Sequence, residues 1–358
     1  MDRFSIGWRP ELALEVFAHR DQIDAVEVIA DDFLEARGSR RSSLATLGSQ
    51  VPIVLHAVGL GMASTEPVDE TRLEALARLV GEVEPLFWTE HLAFVRGGGH
   101  EIGHLAAPVR NGATVEGTVR NLRRATRVVG AAPAMENIAT LVEPPGCSLD
   151  ETSWLGAVLQ AANCSLLLDL HNLHANSINF GFDPIEYLER IPIERVVQVH
   201  LAGGKWITRC ERERWLDDHK NPVPTSVFQL LTRVGALAPQ PLLVTLERDG
   251  RYPPFVELLE ELQLARTALD QGRSQAYTRP LANSAVIEAD GQPGLERCLA
   301  LLYSDEAALM RFVAEPQLGC RELGFTPEET ALLLKIDRTD LMIAATSYAE
   351  KRAQFTNA

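Results

Sequence analysis

Cysteine is scarce in this chain, and basic residues and long apolar runs are scarce with it. The 358 residues include five cysteines, Cys147, Cys164, Cys210, Cys298 and Cys320, widely spaced and without a CxxC pair. An odd, scattered set of this kind is neither a disulfide framework nor a structural zinc site. Reduced thiols are expected, and any metal must be bound by nitrogen and oxygen. Lysine and arginine total 34 against 49 aspartates and glutamates, a net charge of −15. Sequence-independent binding of nucleic acid needs phosphates neutralised by Lys and Arg. The isolated pairs Arg40-Arg41 and Arg123-Arg124 read instead as exposed faces. No run approaches the roughly eighteen apolar residues of a membrane span, and MDRFSIGWRP lacks the layout of a secretory signal. The expected location is the cytoplasm, with neither nucleic acid nor membrane among the partners.

What is present is a soluble, globular composition, 46% hydrophobic and 23% charged. Short runs rich in β-branched residues recur at 4–8, 25–30, 52–58, 86–94, 132–138, 165–170, 196–203 and 241–248, and each reads as a strand. Helical spacing fills the intervals, from Asp69 and from Thr114 most clearly, and again in ETSWLGAVLQAAN and DPIEYLERI. Eight apolar strands alternating with helices predict an α/β fold, a closed (β/α)8 TIM barrel over residues 1–272. An open doubly wound sheet is the alternative, weakened by the lack of GxGxxG after the first strand. Residues 273–290 are polar, with Gly and Pro, and read as a linker. Residues 291–358 read as a small C-terminal helical domain, with Thr326, Pro327 and Glu329 opening one of its helices.

The chemistry gathers at the strand ends. His56, His91, His171 and His200 lie at or just past the ends of four expected strands, and Glu136, Asp169 and Glu247 occupy the same place on three. A lone histidine there usually bonds a loop carbonyl, and a lone carboxylate usually caps the next helix. In a barrel, however, all these ends open on one face. So many carboxylates at one mouth repel one another unless a cation neutralises them. Glu136, Asp169, His200 and Glu247 would furnish one ion, while His56 and His91 would furnish a second that shares Glu136. LDDHKNPV adds Asp217, Asp218 and His219, which could hold a third ion with His171 or Asn172, or could be a solvated turn. Imidazole and carboxylate without thiolate suit Fe, Mn or Zn, and the residues do not choose among them. Asn137, His104, His174, Asn176 and Lys205 read as neighbours of the rim, and His19 and His100 as surface histidines.

The chain resembles the multinuclear non-heme iron-dependent oxidases, the family of the methanobactin-biosynthesis oxidase. The matching segments are IGWRPEL, EVIADDF, LHAVGLGMAS, TEHLAF, GHLAAP, MENIAT, LLLDLHNLHANSINFGFDP, QVHLAGG and DDHKNPV, in family order over nearly the whole barrel. The resemblance implies two or three iron ions of mixed Fe(II)/Fe(III) valence, with O2 as co-substrate. His56, His91 and Glu136 would hold the first ion, and Glu136, Asp169, His200 and Glu247 the second. His171 or Asn172, with Asp217 and His219, would hold the third. It further implies oxidation of a Cys, Asp or Asn side chain in a ribosomally made precursor peptide. The leader of that peptide would be captured by a small partner protein, or by the C-terminal domain in its place. Many members have Asn-Asn followed by Tyr where this chain has His171, Asn172 and His174. The competing expectations are a divalent-metal isomerase or hydrolase of the sugar-isomerase and endonuclease type, and a non-catalytic metal- or peptide-binding accessory protein.

Overall fold

The computed structural model describes residues 1–209, 211–275 and 295–356. Most of the expected linker, and Cys210, lie outside the described residues. The described residues form twelve strands: β1 (Arg3–Gly7), β2 (Ala25–Ile29), β3 (Ile53–His56), β4 (Trp88–His91), β5 (Phe94–Gly97), β6 (His100–Ala106), β7 (Ala134–Glu136), β8 (Ser165–Asp169), β9 (Val196–Leu201), β10 (Gly204–Arg209), β11 (Arg212–Asp217) and β12 (Leu243–Leu246). Eight of them close a barrel in the order β1-β12-β9-β8-β7-β4-β3-β2, and every pairing is parallel. These eight coincide with the eight expected strands. The other four form two antiparallel hairpins, β5-β6 and β10-β11, that the sequence reading did not separate. Phe94, expected at the end of the fourth barrel strand, instead opens the first hairpin.

The crossover helices are α1 (Ala13–Ala18), α2 (Ser39–Gly48), α3 (Glu70–Val83), α4 (Gly112–Val129), α5 (Glu151–Ala162), α6 (Leu170–Phe180), α7 (Pro184–Arg190), α8 (Thr225–Leu237) and α9 (Phe255–Arg273). Their starts obey local chemistry. Asp69 caps α3 by accepting from the backbone of Thr71 and Arg72, and Asn111 and Thr114 close a capping box on α4. Gly130, in the left-handed region, ends α4 as expected. Helices and strands share one core, in which Leu55, Leu79, Leu168, Val199 and Leu231 are fully enclosed.

Beyond the barrel come α10 (Leu295–Ser304), α11 (Glu306–Ala314), α12 (Pro316–Glu322), α13 (Pro327–Leu333) and α14 (Arg338–Thr356). Thr326 and Glu329 form the expected capping box with Pro327 at the first helical position. These helices bury a second apolar cluster, which includes Leu299, Phe312 and Tyr348 and extends to Phe94, Ile102, Leu141 and Val142 of the barrel's connecting loops. Polar contacts repeat the pattern. Glu296 accepts from Ser64 and Thr65 after β3, Arg352 donates to Ile102 in β6, and Asp340 pairs with Arg212 and Arg214 in β11. All of these partners follow the C-terminal ends of barrel strands, so the helices sit at the mouth. No helix among the described residues is long and apolar enough to cross a membrane.

Candidate metal centre

Strand register brings the ligand-type residues to one level. In a parallel pair, residues at matched positions point to the same face. His91 is registered with Glu136, Asp169 with His200, and His56 with Thr89. Glu247 follows β12, its amide donating to Leu201 at 2.9 Å. His56, His91, Glu136, Asp169, His200 and Glu247 are all buried.

Their ligand atoms converge in overlapping triads, each with donor atoms within 4.8 Å of one another. One is His56, His91 and Glu136; the next is Glu136, Asp169 and His200; a further one is Asp169, His219 and Glu247. The last, His171, Asp217 and His219, is built from α6, β11 and the loop beyond. Glu136 thus joins the first two sets and His219 the last two. His56 and His91 present Nε2 to Glu136 Oε2 at 3.6 and 3.2 Å, while His200 Nδ1 lies 3.5 Å from Glu136 and 3.1 Å from Glu247. Glu136 Oε2, Asp169 Oδ2 and His200 Nδ1 are nevertheless buried without a hydrogen-bond partner among the described residues. Buried polar atoms are ordinarily satisfied. Lone pairs that converge without pairing are what a cation would satisfy, so the donor set fits a metal ion of nitrogen and oxygen preference.

The electrostatics say the same. Burial, reinforced by the negative charge of Glu136, pushes the Asp169 carboxyl well above its usual range. Burial lowers His56 far below an ordinary imidazole, and His91 and His200 add to that. Burial also opposes charge on His200 and His219, but nearby carboxylates win: Glu247 and Glu27 for the first, Asp217 and Glu247 for the second. Burial likewise disfavours the Glu247 anion, which the two imidazoles hold low. The buried carboxylates favour positive charge beside them, which a divalent cation would supply.

A ring of further residues fixes the donors. His56 Nδ1 meets Thr89 Oγ1 at 2.7 Å, which leaves Nε2 to face Glu136. His200 Nε2 meets Glu27 Oε2 at 3.0 Å, which leaves Nδ1 to face the basin. Gln198 donates to the same Glu27 oxygen at 2.6 Å. Glu27 falls within 4.8 Å of donors on His200 and Glu247, yet it holds the ring nitrogen opposite the one facing Glu136. It therefore orients His200. Glu27 escaped the sequence reading although its signal was present, an acid in the middle of the apolar strand AVEVIA.

Asp169 serves two ends at once. Its Oδ1 accepts from the Asn172 amide at 2.7 Å and caps α6, while Oδ2 stays in the basin. The strand LLLDL therefore ends by starting a helix, and His171, Asn172, His174 and Asn176 lie on that helix. Asn137 grips Asp169 from both sides, donating to its carbonyl and accepting from its amide at 2.9 Å each. Asn172 donates to the Asn137 carbonyl at 3.0 Å and keeps a buried Oδ1 without a partner among the described residues. Asn176 braces Thr140 and Ile138 in the loop after β7. Lys205 pairs with Asp218 at 3.2 Å, and His104, which belongs to none of the triads, lies 3.1 Å from Lys351 of α14.

His219 adopts φ +53°, uncommon for a residue with a side chain. Backbone bonds hold it there, His219 N to Gly203 O at 2.9 Å and Asp249 N to His219 O at 2.8 Å. Arg9 pairs with Asp249, which in turn lies 3.3 Å from His219 Nδ1.

The family model described as the RiPP precursor modification enzyme MbnB/TglH/ChrH matches residues 3–270, the entire barrel. A UPF0276 protein of Streptomyces avermitilis is 35% identical over 280 residues, covering 76% of this chain but only 56%, about half, of the relative. One from Acaryochloris marina is 32% identical over 275 residues, covering 75% of this chain and 96% of the relative. Among solved structures, an L-ribulose 3-epimerase is similar with a TM-score of 0.49 at 14% identity, over 76% of this chain and 96% of that one.

Proposed function

The chain belongs to the RiPP precursor modification enzyme family MbnB/TglH/ChrH, and from that premise we propose that it is a multi-iron, O2-dependent oxidase of a side chain in a ribosomally made precursor peptide. The observation that carries the reading is Glu136, shared between His56 and His91 on one side and Asp169 and His200 on the other. A carboxylate placed in this way suits two adjacent ions. Bound iron supplies the electron transfer and dioxygen chemistry that no side chain here can perform.

The chain's own residues do the rest. His56, His91 and Glu136 would hold one ion, and Glu136, Asp169, His200 and Glu247 would hold its neighbour. Thr89, Glu27 and Asn137 keep those donors in place, as outer partners of metal ligands do. Burial of the basin keeps bulk water from it. The substituent oxidised is a Cys, Asp or Asn side chain, and dioxygen takes up the electrons removed. The C-terminal helices pack on the loops around the mouth, and in this reading they take the place of a separate leader-binding partner.

The test is elemental analysis of protein purified without oxygen, followed by oxygen uptake and peptide mass change with synthetic Cys-, Asp- and Asn-containing peptides. Two or more irons per chain with oxygen-dependent mass change is the expected result. Full activity without oxygen on zinc, manganese or magnesium would move the chain to the isomerase or hydrolase class. A requirement for an added protein would remove the leader-binding role from the C-terminal helices.

A further inference from the structure

We propose that His171 is a positioning residue for Asp217 and not a metal ligand, that Trp215 enforces this role, and that the chain in consequence holds two ions tightly and a third at least tenfold more weakly. The inference rests on the metal-centre reading above and deepens it.

An imidazole can ligate only through a nitrogen that keeps a free lone pair. His56 and His200 each spend one ring nitrogen on an outer partner and keep the other for the basin. His171 spends both. Its Nδ1 lies 2.8 Å from Asp217 Oδ1, and its Nε2 accepts from the indole Nε1–H of Trp215 at 3.0 Å. An indole nitrogen can only donate. Nε2 must therefore be the acceptor, Nδ1 must carry the proton, and that proton goes to Asp217. No lone pair is left for an ion. With His171 withdrawn, its triad retains Asp217 and His219, and His219 is shared with Asp169 and Glu247.

The indole is built into this position. The backbone of Trp215 is clasped by the Asn179 side chain, whose Oδ1 accepts from the Trp215 amide at 2.8 Å and whose Nδ2 donates to its carbonyl at 2.9 Å. Trp206 and His174 meet its ring edge-to-face at centroid distances of 5.5 and 5.6 Å. Gly204 leaves the necessary space, since a Cβ there would come within 2.7 Å of Trp215 Nε1 and 2.8 Å of His171 Cε1. His171, His174 and Asn179 lie on α6, while Trp215 and Asp217 lie on β11, so the cap also joins hairpin to helix.

The experiment is an anaerobic titration of the metal-free full chain with cobalt(II), read by visible absorption, with metal per chain counted after gel filtration and folding checked by circular dichroism. The wild type should bind two equivalents tightly and a third at least tenfold more weakly. Trp215→Phe, which removes the N–H and keeps a ring, should tighten the third equivalent tenfold or more. His171→Leu should retain both tight equivalents. Three equivalents of like affinity in the wild type, loss of a tight equivalent in His171→Leu, or an unchanged third equivalent in folded Trp215→Phe would each overturn the inference and leave the iron-pair reading standing. A chain that takes up neither cobalt nor iron would overturn both.

Discussion

The inner and outer halves of the ligand basin are made by different means. The inner donors, His56, His91, Glu136, Asp169 and His200, are strand residues or strand ends, locked to one another by barrel register. The outer group, His171, Asp217 and His219, comes from the first turn of α6, the end of β11 and a loop residue in the left-handed region. Such a backbone conformation costs about 1–3 kcal/mol and persists only where its surroundings impose it. Closed barrel strands cannot shift separately, whereas a hairpin and a loop can. The rigid half suits ions that must stay, and the other half suits a position that exchanges or that substrate approaches.

If that contrast holds, the largest effect belongs to the residue common to both inner sets. Glu136→Ala should remove bound metal from both inner positions and abolish peptide oxidation, while circular dichroism still reports a folded barrel. Retention of full metal content would break the comparison at its strongest point. Glu27→Ala comes next. It leaves His200 Nε2 without its carboxylate, and loss of such an outer partner typically weakens metal binding about 10–100-fold. Glu27→Gln keeps an acceptor in place and should recover part of that loss. Competition with a chelator would measure both. Equal loss in the two variants would mean that the charge of Glu27 matters and not its grip on the ring.

The same contrast explains what could be read from sequence. The convergence of His56, His91, Glu136, Asp169 and His200 was legible because a βα repeat puts every strand end on one face, so position along the chain carried the argument. Barrel closure followed from eight apolar runs for the same reason. Glu27 and Gln198 were legible in principle, as polar residues inside apolar strands, but their meaning depends on Glu27 of β2 meeting Gln198 and His200 of β9 across the barrel. The outer half was a matter of inventory. HNLHANS and LDDHKNP contain the right residue types, but nothing in their spacing says that an indole 44 residues away takes one nitrogen of His171. Nor do they reveal that hairpin β10-β11 exists, since its strands are short, charged and only partly buried. The seating of the C-terminal helices on the mouth loops depends on contacts such as Glu296 with Ser64, more than two hundred residues apart.

A smaller effect tests the outer half alone. Gly204→Ala places a Cβ 2.4 Å from the Leu216 carbonyl oxygen, which is backbone and cannot swing aside. The strain should cost about 1–3 kcal/mol, seen as a lower urea midpoint, with tight metal content unchanged. Loss of the inner ions in this variant would mean that the two halves are mechanically one.

The smallest effect lies outside both halves and calibrates them. Asp150 caps α5 by accepting from the Ser153 amide, and it pairs with Arg190. Partial burial works to raise its pKa, but the Ser153 amide and Arg190 outweigh burial and bring it to about 2. A carboxyl whose folded value is depressed stabilises the fold above its unfolded value of about 3.9, and that contribution fades as pH falls through the folded value. Asp150→Asn keeps a capping oxygen and loses the charge. The side chain is half-exposed, so screening limits the loss at neutral pH to about 0.5 kcal/mol. The difference from wild type in urea unfolding should shrink between roughly pH 4 and pH 2. Metal content should not change, because α5 holds none of the donors. If it did change, metal retention would be reporting the stability of the whole barrel, and the losses in Glu136→Ala and Glu27→Ala would have to be measured against variants of matched stability before they could be assigned to the basin.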